Sequence, residues 1–207
     1  MKYPDVISGY FILKTKGKYG GKCMTKKKSL FFLISGIIFF LVLIFLDQFT
    51  KYEAWNKLQG QSAVIVLPHI LAFEYLEGGN AGAAWGIFSG KLSFLLCLNF
   101  VIILLLIFFL YFLQYKKKVM RLKKNTMKKI TLSQYLIILL IAGAIGNMID
   151  RIRLGYVIDF IAVKFVSFPI FNVADCYVVI SSLSLLFLFI FGIKEEELQV
   201  IFSKKSK

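Results

Sequence analysis

Two carboxylates, Asp159 and Asp175, stand on either side of a short connection through Pro169. A chain that folds back there can bring them face to face. Two carboxyls sharing one site repel, so one keeps a proton while the other ionises. The ionised member can take a proton from water, and the protonated member can polarise a peptide carbonyl. That is hydrolysis by general acid and base, without metal or covalent intermediate. A structural acid pair, holding helix ends or Arg151, is the competing reading of the same residues.

Other polar side chains are spaced to support either role. Asn147 lies three residues before Asp150 and four before Arg151, so on one helix the three share a face. Asn172 precedes Asp175 by three and is placed to cap a helix, its amide oxygen accepting from the first free N–H groups. Asp175, in that first turn, is favoured in its charged form by the helix end and disfavoured by burial, and spacing alone does not say which wins. Asp47 closes an apolar run. Rival chemistries find less material. His69 is the single histidine and no G-x-S-x-G accompanies it. Cys23, Cys97 and Cys176 form no C-x-x-C pair, so neither a disulfide nor a metal site is expected, and no cofactor is implied. Ser181, Ser182 and Ser184 sit inside an apolar run with no lysine at matching depth for a serine–lysine pair.

The elements that must position these residues are membrane spans. Of 207 residues 58% are hydrophobic and 16% aromatic, and the mean hydropathy is +0.75, which is the composition of a membrane protein. A helix needs roughly 20 apolar residues to cross the ~30 Å hydrocarbon core. Four runs qualify: Ser29–Leu46, Leu92–Leu113, Leu132–Ile149 and Val173–Ile193. They are too long and too uniformly apolar for barrel strands. The net charge of +15 resides mainly between the runs, which argues for topology and anionic lipid over nucleic acid. Lys and Arg number 8 before the first run, 3 after it, 8 in Lys116–Lys129, 3 before the fourth run and 4 in the tail. The positive-inside rule therefore predicts cytoplasmic termini, with 47–91 and 150–172 on the outer side. Every acid and amide singled out above then falls at the outer face.

Residues 29–193 are read as one membrane domain, preceded by a basic extension, 1–28, and followed by a charged tail, 194–207. Met24, ahead of three lysines, reads as a natural start, and Ser29–Leu46 as an uncleaved anchor because no small-x-small cleavage site follows it. In the long loop, β-type residues at Ala63–Leu67 and Ile70–Leu76, with a turn at Gly78-Gly79, predict a small outer sheet at the membrane surface. The fold class is thus all-α, four membrane helices with a β-like outer loop.

Five blocks in order resemble the lipoprotein signal peptidases. Asp47-Gln48-x-x-Lys51 resembles D-Q-x-x-K, Asn80 to Gly86 resembles N-x-G-A-A-F-G, and Gly143 to Arg151 resembles G-A-x-G-N-x-x-D-R. Gly155 to Ile161 is similar to G-x-V-x-D-F-I, and Phe171 to Asp175 to F-N-x-A-D. The resemblance implies an aspartic endopeptidase whose dyad is Asp159 and Asp175. It further implies that Asp47, Lys51, Asn80, Gly82, Asn147, Asp150, Arg151, Asn172 and Ala174 bind substrate or support the dyad. The implied substrate is a prolipoprotein bearing diacylglyceryl on a cysteine, cut just before that cysteine, with inhibition by globomycin-type compounds. The implied setting is the bacterial cytoplasmic membrane, with phospholipid as neighbour, no nucleic-acid partner, and a monomer. Trp85, where the family more often has Phe, and Glu77-Gly78-Gly79 depart from its pattern.

Two further classes compete. A proton-coupled transporter would need acids at mid-membrane or a second gate; a lipoprotein-binding scaffold would tolerate loss of either aspartate. A presenilin-type protease would carry G-x-G-D, which is absent.

Overall fold

A computed structural model describes residues 21–82 and 90–203. Ala83 to Gly86 of the second block, Trp85 among them, and most of the basic extension lie outside the described residues. The order is α1 (Lys26–Leu58), β1 (Val64–Leu67), β2 (Leu71–Phe73), α2 (Leu92–Val119), α3 (Lys124–Leu154), β3 (Ile161–Val163), α4 (Val173–Phe187) and α5 (Glu195–Phe202). A π-turn, Leu188–Gly192, prolongs α4 to 20 residues. Helices α1 to α4 are each long and apolar enough to cross a membrane, so the expected all-α, four-span architecture holds.

The helices overrun the apolar runs, and the overrun matters. Helix α1 continues twelve residues past Leu46, because its buried face simply changes chemistry: Phe32, Gly36, Leu43, Asp47, Lys51, Ala54 and Leu58 form one stripe at helical spacing. At about 1.5 Å per residue that extension is about 18 Å long. It carries polar groups off the end of the span and into the fold. Helix α3 similarly extends through Asp150 and Arg151 and stops at Gly155, whose φ of 84° is a left-handed cap; its N–H donates to Arg151 O.

Helix α3 is the centre of the bundle, packing on α1, α2 and α4. Two glycines let neighbouring helices come close, Gly143 admitting α4 and Gly146 admitting Asp47 of α1. A Cβ on Gly143 would lie 2.6 Å from Ala174 O, and one on Gly146 would lie 2.4 Å from Asp47 Oδ2. Elsewhere the helices present bare apolar surface: Phe31, Phe45, Phe108 and Phe191 are all well over half exposed. In water such a surface would aggregate; facing lipid it costs nothing.

The predicted surface sheet is present, unclosed and three-stranded, in the order β1-β2-β3, antiparallel throughout. The two expected strands are shorter than their β-type stretches, and β3 is an addition that its three residues gave no means of predicting. Two cores flank the spans. Ile103, Leu113, Leu122, Ile130, Ile137 and Ile141 pack with Val200 and Ile201 of α5 at the lysine-rich end. Ala54, Leu58, Tyr75, Ile158 and Phe160 pack beneath the sheet at the other. The tail is therefore not merely charged: α5 folds back and docks, with Glu197 accepting from Thr126 and Lys129.

Candidate active site

Asp159 lies on an extended segment that is clamped on both sides by main chain. Leu76 N–H donates to Asp159 O, Asn80 and Val157 exchange both backbone bonds, and Phe160 and Ile161 N–H both donate to Phe171 O. Asp175 arrives from the other direction, in the first turn of α4. Asn172 caps that helix as its spacing predicts: its Oδ1 accepts from Asp175 N–H, and its own N–H donates to Asp175 Oδ2.

Asn172, fully buried, also joins the two acids. Its Nδ2 donates to Asp159 Oδ1 at 2.6 Å and to Asn147 Oδ1 at 3.1 Å, while Asn147 Nδ2 donates to Asp175 Oδ1 at 2.7 Å. The second oxygen of Asp159 accepts from Asn80 Nδ2 at 2.9 Å, and Asn80 is held in turn by Gly82 N–H on its Oδ1. Burial, and after it the charge of Asp175, pushes the Asp159 carboxyl up to about 6, although the amides of Asn80 and Asn172 and the charge of Lys51 oppose this.

Beneath lies a buried ionic layer. Lys51 Nζ sits 3.0 Å from Asp47, 2.9 Å from Asp150 and 2.9 Å from Asn147 Oδ1. Asp47 Oδ1 accepts from Ala174 N–H, and Asp150 Oδ2 from Ile158 N–H, so each acid also pins a segment that carries a dyad candidate. Asn147, Asp150 and Arg151 do share a face, but Lys51 joins the first two. Arg151 reaches away, donating from Nη2 to Gly82 O at 2.8 Å; its buried Nε has no partner among the described residues. All eleven residues singled out from the sequence thus belong to one connected cluster. Gln48 was overlooked. Its Nε2 donates to Asp47, Asp150 and Gly146 O, and its place beside Asp47 in D-Q-x-x-K was the available signal.

Four apolar spans closing on a buried carboxylate cluster define a polytopic membrane protein built around a polar site at one end. Comparison with known proteins gives it a family. The family model for signal peptidase (SPase) II matches residues 39–191. The lipoprotein signal peptidase of Caldanaerobacter subterraneus subsp. tengcongensis is 38% identical over 75% of this chain and 95% of its own. That of Clostridium tetani is 41% identical over 77% and 93%. A solved structure described as a bacterial membrane enzyme superposes with a TM-score of 0.61 at 32% identity, covering 78% of this chain and 92% of that one. The chain belongs to the signal peptidase II family, the membrane aspartic peptidases of lipoprotein maturation.

Proposed function

We propose that Asp159 and Asp175 are the catalytic dyad, hydrolysing the peptide bond before the diacylglyceryl-modified cysteine of a prolipoprotein. The observation that carries this is Asn172, which bonds both carboxyls at once and so holds them on one site. Asp159, raised to about 6, is the member suited to hold the proton. Asp175, its carboxylate oriented by Asn147 Nδ2 and Asn172 N–H, takes the part of the base that deprotonates water. The water oxygen bonds to the carbonyl carbon as Asp159 protonates the carbonyl oxygen. The tetrahedral intermediate then collapses: Asp175 returns its proton to the leaving amine, and one hydroxyl returns a proton to Asp159.

In this reading Asp47, Gln48, Lys51 and Asp150 set the dyad's geometry, and the Nε of Arg151, which has no partner among the described residues, meets the substrate backbone with Asn80 and Gly82. A globomycin-type inhibitor would occupy the same place. The positive-inside count puts the lysine-rich end in the cytoplasm and the dyad near the outer face. One chain supplies every residue, so a monomer suffices.

The test is cleavage of a diacylglyceryl-modified prolipoprotein by purified protein in detergent with added lipid. Asp159→Asn and Asp175→Asn, each shown to fold, should each lose activity by at least about a thousandfold, which is about 4 kcal/mol of barrier. Activity surviving either change would mean that other acids do the chemistry, and binding without cleavage by the wild type would favour a scaffold.

A further inference from the structure

An apolar groove of about 260 Å³ opens on the flank of the bundle, lined by none of the dyad's polar residues. Its floor is Ile138 and Ile141 of α3 with Phe32 of α1, all buried, and its walls include Leu33 and Ile37 on one side and Ile107 on the other, about half exposed. No polar surface lines it. The volume exceeds the ~150 Å³ of an apolar cavity that accepts benzene. The groove exists because α1 and α2 both pack on α3, leaving a cleft between them. Gly36, on the floor, keeps α1 close: a Cβ there would stand 3.1 Å from Ile138 Cδ1.

The end of the groove toward the start of α1 is cationic. Followed in steps of four along α1, Phe40, Gly36 and Phe32 lead to Lys28, which is exposed beside Lys26 and Lys27. Helix α1 has no acid in its first turn, and α2 ends in Lys116, Lys117 and Lys118. The floor at this end is closed by buried Lys117, whose Nζ donates to Thr131 and Gln134 and stands 4.8 Å from the Phe32 ring centroid. Gln134 donates to Gln114, and Gln114 to Ser29. The acids at this end, Glu195, Glu196 and Glu197, are on α5, and Glu197 is taken by Lys129. Such a mouth repels cations and favours an anion at headgroup depth.

We infer that this groove is a binding site for one anionic phospholipid of the leaflet at the lysine-rich end. An acyl chain lies in the cleft between α1 and α2, and the phosphate meets Lys28 and its neighbours. The occupant is identified by the pairing of an acyl-sized apolar cleft with a run of lysines on α1 whose first turn holds no acid. The dyad's function does not enter into it.

Native mass spectrometry of the full chain in detergent, titrated with phosphatidylglycerol or phosphatidylethanolamine of equal chain length, tests it. One phosphatidylglycerol should be retained at least tenfold more strongly than phosphatidylethanolamine. Leu33→Trp and, independently, Ile107→Trp fill the cleft from opposite exposed walls and should each weaken that retention at least tenfold. Lys28→Gln, which leaves the other lysines in place, should reduce the preference between the two lipids while leaving the cleft open. Phosphatidylglycerol retention unchanged in both tryptophan variants overturns the assignment. So does equal retention of the two lipids, or loss of a second copy of the chain, in place of lipid, on filling the cleft.

Discussion

Asp159 shows how burial raises a carboxyl even where amides bond it. Burial is the larger cause and the charge of Asp175 the next, so its proton is held until about pH 6. Infrared titration should therefore show a protonated carboxyl that is present below pH 6, disappears as pH rises through that value and is absent in Asp159→Asn. In Asp175→Asn the same band should titrate at lower pH, because the charge that raises it is gone. Lys51 acts by a different means. Removing it in Lys51→Met leaves Asp47 and Asp150 buried without their cation, and breaking a buried pair in this way costs about 3–5 kcal/mol. Thermal unfolding in detergent should show a large loss of stability, together with loss of cleavage. Retained stability would overturn the bridging role given to Lys51.

At the scale of elements, the site depends on how closely α3 and α4 approach. Gly143→Ala would place a methyl 2.6 Å from the main-chain Ala174 O, which cannot move without shifting the first turn of α4 that carries Asp175. Overpacking of this kind costs about 1–3 kcal/mol; the variant should unfold at lower temperature and cleave slowly, and a wild-type profile would show that α4 has slack. Helix α5 offers a pH-dependent dock. Burial would raise the Glu197 carboxyl, but hydrogen bonds from Lys129, Thr126 and Lys194 N–H outweigh that and hold it down at about 2. A depressed carboxylate contributes fully above its ordinary value near 4.5, and that contribution is lost as pH falls through about 2. Hydrogen exchange should find α5 protected at pH 5 and progressively released toward pH 2. Glu197→Gln should lower the protection and remove the step.

For the whole molecule, the orientation proposed from the charge count, with both ends of the bundle's chain on the cytoplasmic side, is open to direct test. Cys23, exposed next to the start of α1, should react with a membrane-impermeant thiol reagent in inverted vesicles and resist it in right-side-out ones. The reverse pattern would overturn the orientation. The sequence by itself determined the number of spans, because hydrocarbon thickness demands runs of about 20 apolar residues, and four such runs can be counted. It also made Asp47, Asn147, Asp150, Asn172 and Asp175 conspicuous, since an aspartate or asparagine at a span end is costly, while Lys51 and Asn80 came from the resemblance of the five blocks. The capping role of Asn172 was legible for a similar local reason, a three-residue spacing before Asp175. Only the tertiary structure decided how the cluster is wired. Lys51 bridges Asp47 and Asp150 across 99 residues of chain, and Asn172 bridges Asp159 to Asn147, contacts that periodicity cannot express. The docking of α5, the third strand and the groove between α1 and α2 likewise arise from surfaces meeting, whereas sequence patterning reports only the face that each element has to bury.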